Sequence, residues 1–173
     1  MTMRLAILAF AAIGLTTIAA AAPGQLGQHD FGAYPAPAYR GTVHAPAFRG
    51  SQRPYAAYRT MIRRSLARGV QFSGRYAVAF IGCGASCRFA YMTDLSTGLV
   101  CDMPNGGEEY PGVLYQVRSD SRLLQTQWET STSNGPPGCA LEDFIWTGKS
   151  FRSLGVRRQS TCPDWPSAVE ATN

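Results

Sequence analysis

Five cysteines are the strongest chemical signal in this 173-residue chain. Cys83 and Cys87 flank a Gly-Ala-Ser segment between two predicted strands, which favours a local disulfide that fixes the loop. Spacing alone leaves several connectivities open for the remaining three. We favour Cys139–Cys162 as a second bridge, with Cys101 as a buried and unreactive thiol, and Cys101–Cys139 is the alternative pair.

A more specific alternative is that Cys83 and Cys87 catalyse thiol–disulfide exchange. Three intervening residues instead of two, and no predicted helix N-terminus beside them, are unfavourable for a lowered thiol pKa. A four-thiolate zinc site would need paired Cys-x-x-Cys motifs, which the sequence lacks. We therefore predict structural disulfides and neither a metal nor a cofactor.

Acidic residues allow a carboxylate-dependent hydrolase as a further alternative. The candidates are Glu108, Glu109 and Asp120, with Glu142 and Asp143 in or before a strand. Glycoside hydrolysis needs two carboxyl groups about 5–10 Å apart across a cleft, and this chain is short for such a cleft beside a core. We favour solvated charges in turns and at strand edges.

Both histidines, His29 and His44, lie in a Pro-rich N-terminal segment. We therefore expect the folded domain to contain no histidine. That expectation argues against a Ser-His-Asp or Cys-His nucleophilic site and against a His-ligated zinc site in the domain.

Residues 1–21 have the pattern of a secretory signal peptide. Arg4 supplies a positive start, Leu5–Ala20 is apolar, and the small residues Ala19–Ala22 offer a cleavage site. The alternative is an uncleaved membrane anchor, for which the Ala, Gly and Thr content is weak. We predict export to the periplasm or beyond, where disulfides persist.

Residues 22–55 are rich in Pro, Ala and Arg, and they contain a short repeat. Ala36–Gly41 reads Ala-Pro-Ala-Tyr-Arg-Gly, and Ala45–Gly50 reads Ala-Pro-Ala-Phe-Arg-Gly. Repeated Pro blocks helix and central strand, so we predict a disordered arm with polyproline stretches. Weak contact of its arginines with anionic polymers is an alternative use.

The net charge of +5 divides unevenly along the chain. Residues 23–68 carry seven arginines against one aspartate, whereas residues 69–173 carry eight basic and ten acidic side chains. The high isoelectric point therefore belongs to the arm and the helix that follows it. A nucleic-acid-binding fold is not predicted.

Residues 56–165 are predicted to form one mainly-β globular domain, followed by a tail at 166–173. Residues 56–68 have the apolar spacing of a helix, with Tyr58, Met61, Ile62 and Leu66 on the stripe that docks against the domain. Beyond Gly69, short apolar runs separated by Gly, Pro and Asn turns predict seven strands. These are Arg75–Ile81, Arg88–Asp94, Leu99–Met103, Val113–Val117, Arg122–Trp128, Leu141–Thr147 and Ser150–Val156.

Tight turns between six to seven short strands favour an antiparallel meander. Its first three strands and its last three have similar spacing, so the chain resembles two blade-like repeats. Two blades cannot close a propeller. We expect them to pack as one curved sheet or a small sandwich, with the helix covering a face or an edge.

Several motifs resemble a family of small exported bacterial proteins. They are Phe72–Tyr76 (Phe-Ser-Gly-Arg-Tyr), Ile81–Cys87 (Ile-Gly-Cys-Gly-Ala-Ser-Cys), Asp94–Gly98 (Asp-x-x-x-Gly), Ser121–Leu124 and Phe144–Trp146. The resemblance spans about residues 56–156 and implies export without implying an activity. Arg75 stands where the family often has His and Ile81 where it often has Trp, so no role of that histidine carries over.

The functional hypothesis is a non-enzymatic binding or accessory module of the bacterial envelope, inhibitor-like, immunity-like or surface-associated. Its contact candidates are two predicted loops: Gly84, Ala85 and Ser86 in the first, and Glu108 and Glu109 in the second. The expected partner is a protein or an envelope component, and the expected state is a monomer. The alternative is a small secreted enzyme of the thiol-exchange or carboxylate kind.

Overall fold

A computed structural model describes residues 29–132 and 135–164 of the chain. In this part, one α-helix and seven strands follow two 3₁₀ helices, Phe31–Ala33 and Gly50–Tyr58. The elements are α1 Arg59–Ala67, β1 Tyr76–Gly84, β2 Cys87–Asp94, β3 Val100–Asp102, β4 Leu114–Val117, β5 Leu123–Thr132, β6 Gly135–Trp146 and β7 Phe151–Gln159. The predicted signal peptide and tail lie outside the described residues. Among the helices within them, none is long and apolar enough to span a membrane.

The strands form two antiparallel meanders, as the sequence predicts. The N-terminal sheet has the order β1-β2-β3, and the C-terminal sheet has the order β4-β5-β6-β7. The two predicted repeats therefore fall in separate sheets, and β4 adds an edge strand to the second. The mainly-β prediction is confirmed.

One apolar core joins the two sheets. Val78 and Met92 of the N-terminal sheet lie in the same buried cluster as Leu124, Phe144 and Trp146 of the C-terminal sheet. Strand residues alternate between faces, so one face of each sheet supplies this cluster. Burial of these large side chains is the main stabilising contribution to the fold.

The described part of the predicted arm is ordered on the domain, which differs from the expected disorder. Residues 29–48, here called the strap, run from the C-terminal sheet to the N-terminal sheet. The Ala36 amide donates to the Asp120 carbonyl at 2.8 Å, the Tyr39 amide to Gly74 at 2.7 Å and the His44 amide to Leu95 at 2.9 Å. The prolines that follow the 3₁₀ helix Phe31–Ala33 prevent the strap from continuing as a regular helix or strand. However, three of its amides bond to loop carbonyls of the domain.

The helical segment is longer than expected and starts earlier. The 3₁₀ helix Gly50–Tyr58 leads directly into α1, which packs on β1. Ile62 is fully buried against Ala79 and Val100, as its place on the predicted stripe requires. Met61 is the exception, with 39% of its surface exposed, because Ser65 takes the inward position on that turn.

Side chains of the helical segment, and of the residues directly after it, bond to both outer edges of the N-terminal sheet. At β3, the Gln52 amide accepts from the Val100 amide at 2.7 Å and donates to the Val100 carbonyl at 3.3 Å. At β1, Val78 donates to Gln71 at 2.8 Å and accepts from Arg68 at 2.9 Å. Unpaired strand edges invite pairing with other chains, so these side chains protect the sheet.

Candidate functional site

The first predicted contact loop is the end of a tight hairpin. Gly84 pairs with Cys87, so only Ala85 and Ser86 form the turn, and Ser86 has a φ of 54°. The register shifts at Cys83, which leaves this residue in a bulge. A Cys83–Cys87 disulfide with a Cα–Cα distance of 5.1 Å crosses the hairpin end, as predicted. Residues 82–86 are all exposed, so a rigid loop faces the solvent.

The second predicted contact loop lies directly against the first. The Gly112 amide donates to the Ser86 carbonyl at 2.7 Å, and the Gly107 amide donates to the Arg88 carbonyl at 2.9 Å. Glu108 and Glu109 lie between these two glycines, and both are exposed. The structure therefore brings the two candidate loops together, at one end of the N-terminal sheet. We call residues 82–88 and 106–112 the double-loop surface.

A network below the double-loop surface fixes the second loop. Asn105, with a φ of 58°, is 8% exposed and donates to Thr126 at 2.9 Å and to Glu142 at 3.0 Å. The Tyr115 hydroxyl donates to the Asn105 carbonyl at 2.8 Å, and burial raises the pKa of this tyrosine. Tyr115 is therefore a protonated donor at neutral pH. These bonds hold the start of the loop on the C-terminal sheet.

Two shallow concavities flank the double-loop surface. One, of about 270 Å³, lies between Arg88 and Gly112 and reaches Val113 and Leu114. The other, of the same volume, lies on the side of Phe89 and Gly107. Their size suits single side chains or small molecules.

The remaining cysteines also follow the favoured prediction. Cys139 and Cys162 form a disulfide with a Cα–Cα distance of 4.9 Å, which ties the end of the described chain to β6. Cys101 is a free thiol. It is half-buried, so the expected full burial is not met. Burial, and next the charge of Asp102, raise the pKa of the Cys101 thiol and keep it protonated.

The carboxylates considered for hydrolysis do not all face one cleft. Glu142 and Asp143 are consecutive in β6 and so point to opposite faces of the C-terminal sheet. Glu142 is bonded to Asn105 and Ser153. Asp120 is exposed and pairs with Arg118 at 2.6 Å, and the hydrogen bond with that guanidinium lowers the pKa of Asp120.

His29 lies on the folded domain, whereas the sequence analysis expected it in a disordered arm. Its ring Nδ1 lies 2.8 Å from Asp143 Oδ2, and its backbone amide donates to the same oxygen at 2.9 Å. Asp143 is 2% exposed, and Gln125 donates to the His29 carbonyl at 2.8 Å. The domain surface therefore does contain a histidine, contrary to the expectation, because the strap carries it onto the C-terminal sheet. His44 is exposed.

Arg75 has a structural role beside the first strand of the N-terminal sheet. Its guanidinium lies 3.0 Å from Asp94 and 5.3 Å from the centre of the Tyr76 ring. The hydrogen bond to the Tyr76 hydroxyl, and further the charge of Asp94, raise the pKa of Arg75. These contacts tie β1 to the Asp94–Gly98 turn.

Residues 29–132 and 135–164 contain no group of three or more His, Cys, Asp or Glu side chains placed to hold a metal ion. Comparison with known proteins gives no further assignment. No protein-family model, no curated protein and no solved structure matches the chain.

Proposed function

We propose that this protein is an exported, non-enzymatic binding or accessory module of the bacterial envelope, and that it contacts its partner through the double-loop surface. The observation that carries the proposal is the convergence of the two loops. Two direct backbone bonds, from the Gly112 amide to Ser86 and from the Gly107 amide to Arg88, make one exposed surface from residues that are 26 and 19 positions apart in sequence. Binding residues are commonly presented in this way, on loops held by a rigid scaffold.

Rigidity supports binding because it lowers the entropy lost on association. The disulfide, the two-residue turn and the Asn105 network all restrict the double-loop surface before any partner arrives. An ordered loop loses less conformational freedom when it docks than a mobile one does. The mixed charge of Arg88, Glu108 and Glu109 favours a polar protein surface as the partner.

Export is supported by the two disulfides and by the resemblance to a family of exported proteins. Disulfides form and persist in oxidising compartments and are rare in the cytosol. The apolar leader at residues 1–21 fits the same proposal.

A capture experiment tests the contact surface. Immobilised mature protein is exposed to an envelope extract of the producing cells, and retained proteins are identified by mass spectrometry. The variant Ala85→Arg/Glu109→Arg changes two exposed side chains of the double-loop surface without altering Gly84 or Ser86. We expect retention of the partner to fall about tenfold or more, because bulk and charge are altered at the contact.

The control variant is Lys149→Glu, which changes charge in an exposed turn between β6 and β7. It should retain the partner as the wild type does. Equal retention by the double-loop variant would overturn the proposed surface. Cys83-dependent reduction of insulin disulfides would overturn the non-enzymatic assignment in favour of thiol exchange.

A further inference from the structure

The concavity on the side of Phe89 and Gly107 is a small aromatic cavity beside β3. It does not include the turn of the β1–β2 hairpin. It has a volume of about 270 Å³ and is open to solvent. Its lining consists of Phe89, Ala90, Tyr91, Asp102, Met103, Gly106 and Gly107. Aromatic walls with one polar group are typical of small-ligand sites.

Four aromatic side chains make up the wall of this cavity and its support. The rings of Tyr58, Phe89 and Tyr91 contact one another pairwise, with centroids 5.2–5.6 Å apart and planes inclined by 57–80°. Tyr55 adds an edge contact to Tyr91 at 5.0 Å. All four are half-buried, so part of this aromatic surface meets the solvent.

Asp102 places a negative charge at the same wall. It is exposed and stands opposite Tyr91 in the β2–β3 register, so both side chains lie on one face of the sheet. The Tyr55 hydroxyl donates to its Oδ2 at 3.2 Å. Within the described ranges, Asp102 forms no salt bridge, although the neighbouring helical segment is rich in arginine.

The loop backbone keeps the cavity open. A Cβ atom on Gly106 would lie 2.6 Å from Cβ and 3.0 Å from Cα of Phe89, so glycine lets the loop pass close to the backbone of β2 at the cavity. Gly107 has no atom within 4 Å of its own Cβ position, so the space above it is empty. Phe89, Tyr91 and the Asp102 carboxylate therefore border the same solvent-accessible space.

We propose that this cavity binds a small organic cation with an alkylated ammonium group. Such a cation is attracted by the aromatic rings of Phe89 and Tyr91 that line the cavity and by the negative charge of Asp102. Its weak hydration lowers the free-energy cost of moving it from water to an aromatic wall. A neutral ligand of the same shape would use the rings but not the carboxylate. The cavity adjoins the double-loop surface at Gly106 and Gly107, but binding of a cation here does not depend on the partner contact proposed above.

Titration of the folded protein with choline, followed by ¹H–¹⁵N chemical shifts, tests the proposal. We expect saturable shifts at Tyr91, Asp102 and Gly107, and affinity that falls as salt screens the carboxylate. The neutral isostere 3,3-dimethylbutanol should bind at least about threefold more weakly, as expected for loss of a cation–π contact. Equal affinity for both compounds would overturn the proposal.

Two substitutions separate the contributions of charge and ring. Asp102→Asn keeps shape and should weaken choline binding at least about threefold while leaving the isostere unchanged. Tyr91→Leu should weaken both ligands, and Asp164→Asn, an exposed carboxylate after Cys162, is the matched control. Choline binding that is unchanged in Asp102→Asn would refute the site.

A second arm distinguishes the source of the cation. Flotation with phosphatidylcholine vesicles, but not with phosphatidylglycerol vesicles, would assign the ammonium group to a lipid headgroup. Saturation by free choline without flotation would assign it to a soluble molecule. Failure of both choline and vesicles to bind would overturn the inference, whatever the outcome for the double-loop surface.

Discussion

Gly74 and Gly98 show how single residues allow the strap to dock. A Cβ on Gly74 would lie 1.9 Å from the Pro37 carbonyl oxygen, and one on Gly98 would lie 2.7 Å from the Ala45 oxygen. Both glycines have a φ near 75°. Gly74 belongs to the Phe-Ser-Gly-Arg-Tyr motif and Gly98 to the Asp-x-x-x-Gly motif. In both motifs, the glycine therefore leaves room for the backbone of the strap to pass over the turn.

Gly74→Ala should lower the free energy of unfolding by about 3 kcal/mol or more. It combines a left-handed backbone with a clash against a backbone oxygen that no side-chain rotation can relieve. Gly148→Ala is the matched control, because Gly148 has a φ of 94° and open space around its Cβ position. That control should lose about 1 kcal/mol from backbone strain alone.

Urea unfolding followed by tryptophan fluorescence measures both variants. Equal losses for Gly74→Ala and Gly148→Ala would mean that the strap does not press on Gly74 in solution.

Some of this residue-level detail could be read from the sequence and some could not. A hairpin crossed by Cys83–Cys87 follows from two cysteines around a short turn between apolar runs. The pairing of His29 with Asp143 does not follow, because the two residues are 114 positions apart and only the folded sheet brings them together. Likewise, a glycine signals a turn but not which distant carbonyl passes over it.

At the scale of elements, the helical segment protects the edges of the N-terminal sheet from pairing with other strands. The Gln52 side chain mimics a neighbouring strand at Val100, and Gln71 with Arg68 does so at Val78. The helical segment thus covers one face through Ile62, and its side chains together with Arg68 and Gln71 bond to one residue at each edge. Its role is protection as well as packing.

Gln52→Ala should open the β3 edge. The Val100 amide loses its acceptor, so we expect its hydrogen exchange to accelerate and the free energy of unfolding to fall by about 1 kcal/mol. Gln159→Ala is the control, because Gln159 donates to the Thr161 carbonyl at an exposed position. Unchanged exchange at Val100 would show that Gln52 does not protect this edge.

The strands could be predicted because they are short apolar runs bounded by turn residues. The strap, residues 29–48, could not be interpreted correctly in the same way. It has no apolar period, and its order depends on single backbone bonds to loops that are distant in sequence. The composition therefore indicated a disordered segment, whereas the strap is ordered because it docks on the domain.

At the scale of the whole molecule, two disulfides of different loop length hold different parts. Cys139–Cys162 spans 23 residues and fixes the end of the described chain, where Gln127 donates to the Pro163 carbonyl at 3.0 Å. Cys83–Cys87 spans only four and stiffens the double-loop surface. The first therefore contributes to global stability and the second to local shape.

Replacing Cys139 and Cys162 by Ala should cost more stability than replacing Cys83 and Cys87 by Ala. Loop-closure entropy gives roughly 3 kcal/mol for the long loop and roughly 2 kcal/mol for the short one. Thermal and urea unfolding of the two double variants under non-reducing conditions measures the difference. A larger loss for the short loop would contradict this division of roles.

Synthesis order gives the strap a further property. His29 leaves the ribosome first, yet its partner Asp143 follows 114 residues later. At about 5–20 residues per second, synthesis of these 114 residues takes roughly 6–23 seconds, so the docking surface does not exist when the strap is made. A strongly apolar segment would aggregate or pair wrongly in that interval. The proline-rich, weakly apolar composition of the strap thus suits a segment that is made early and used last.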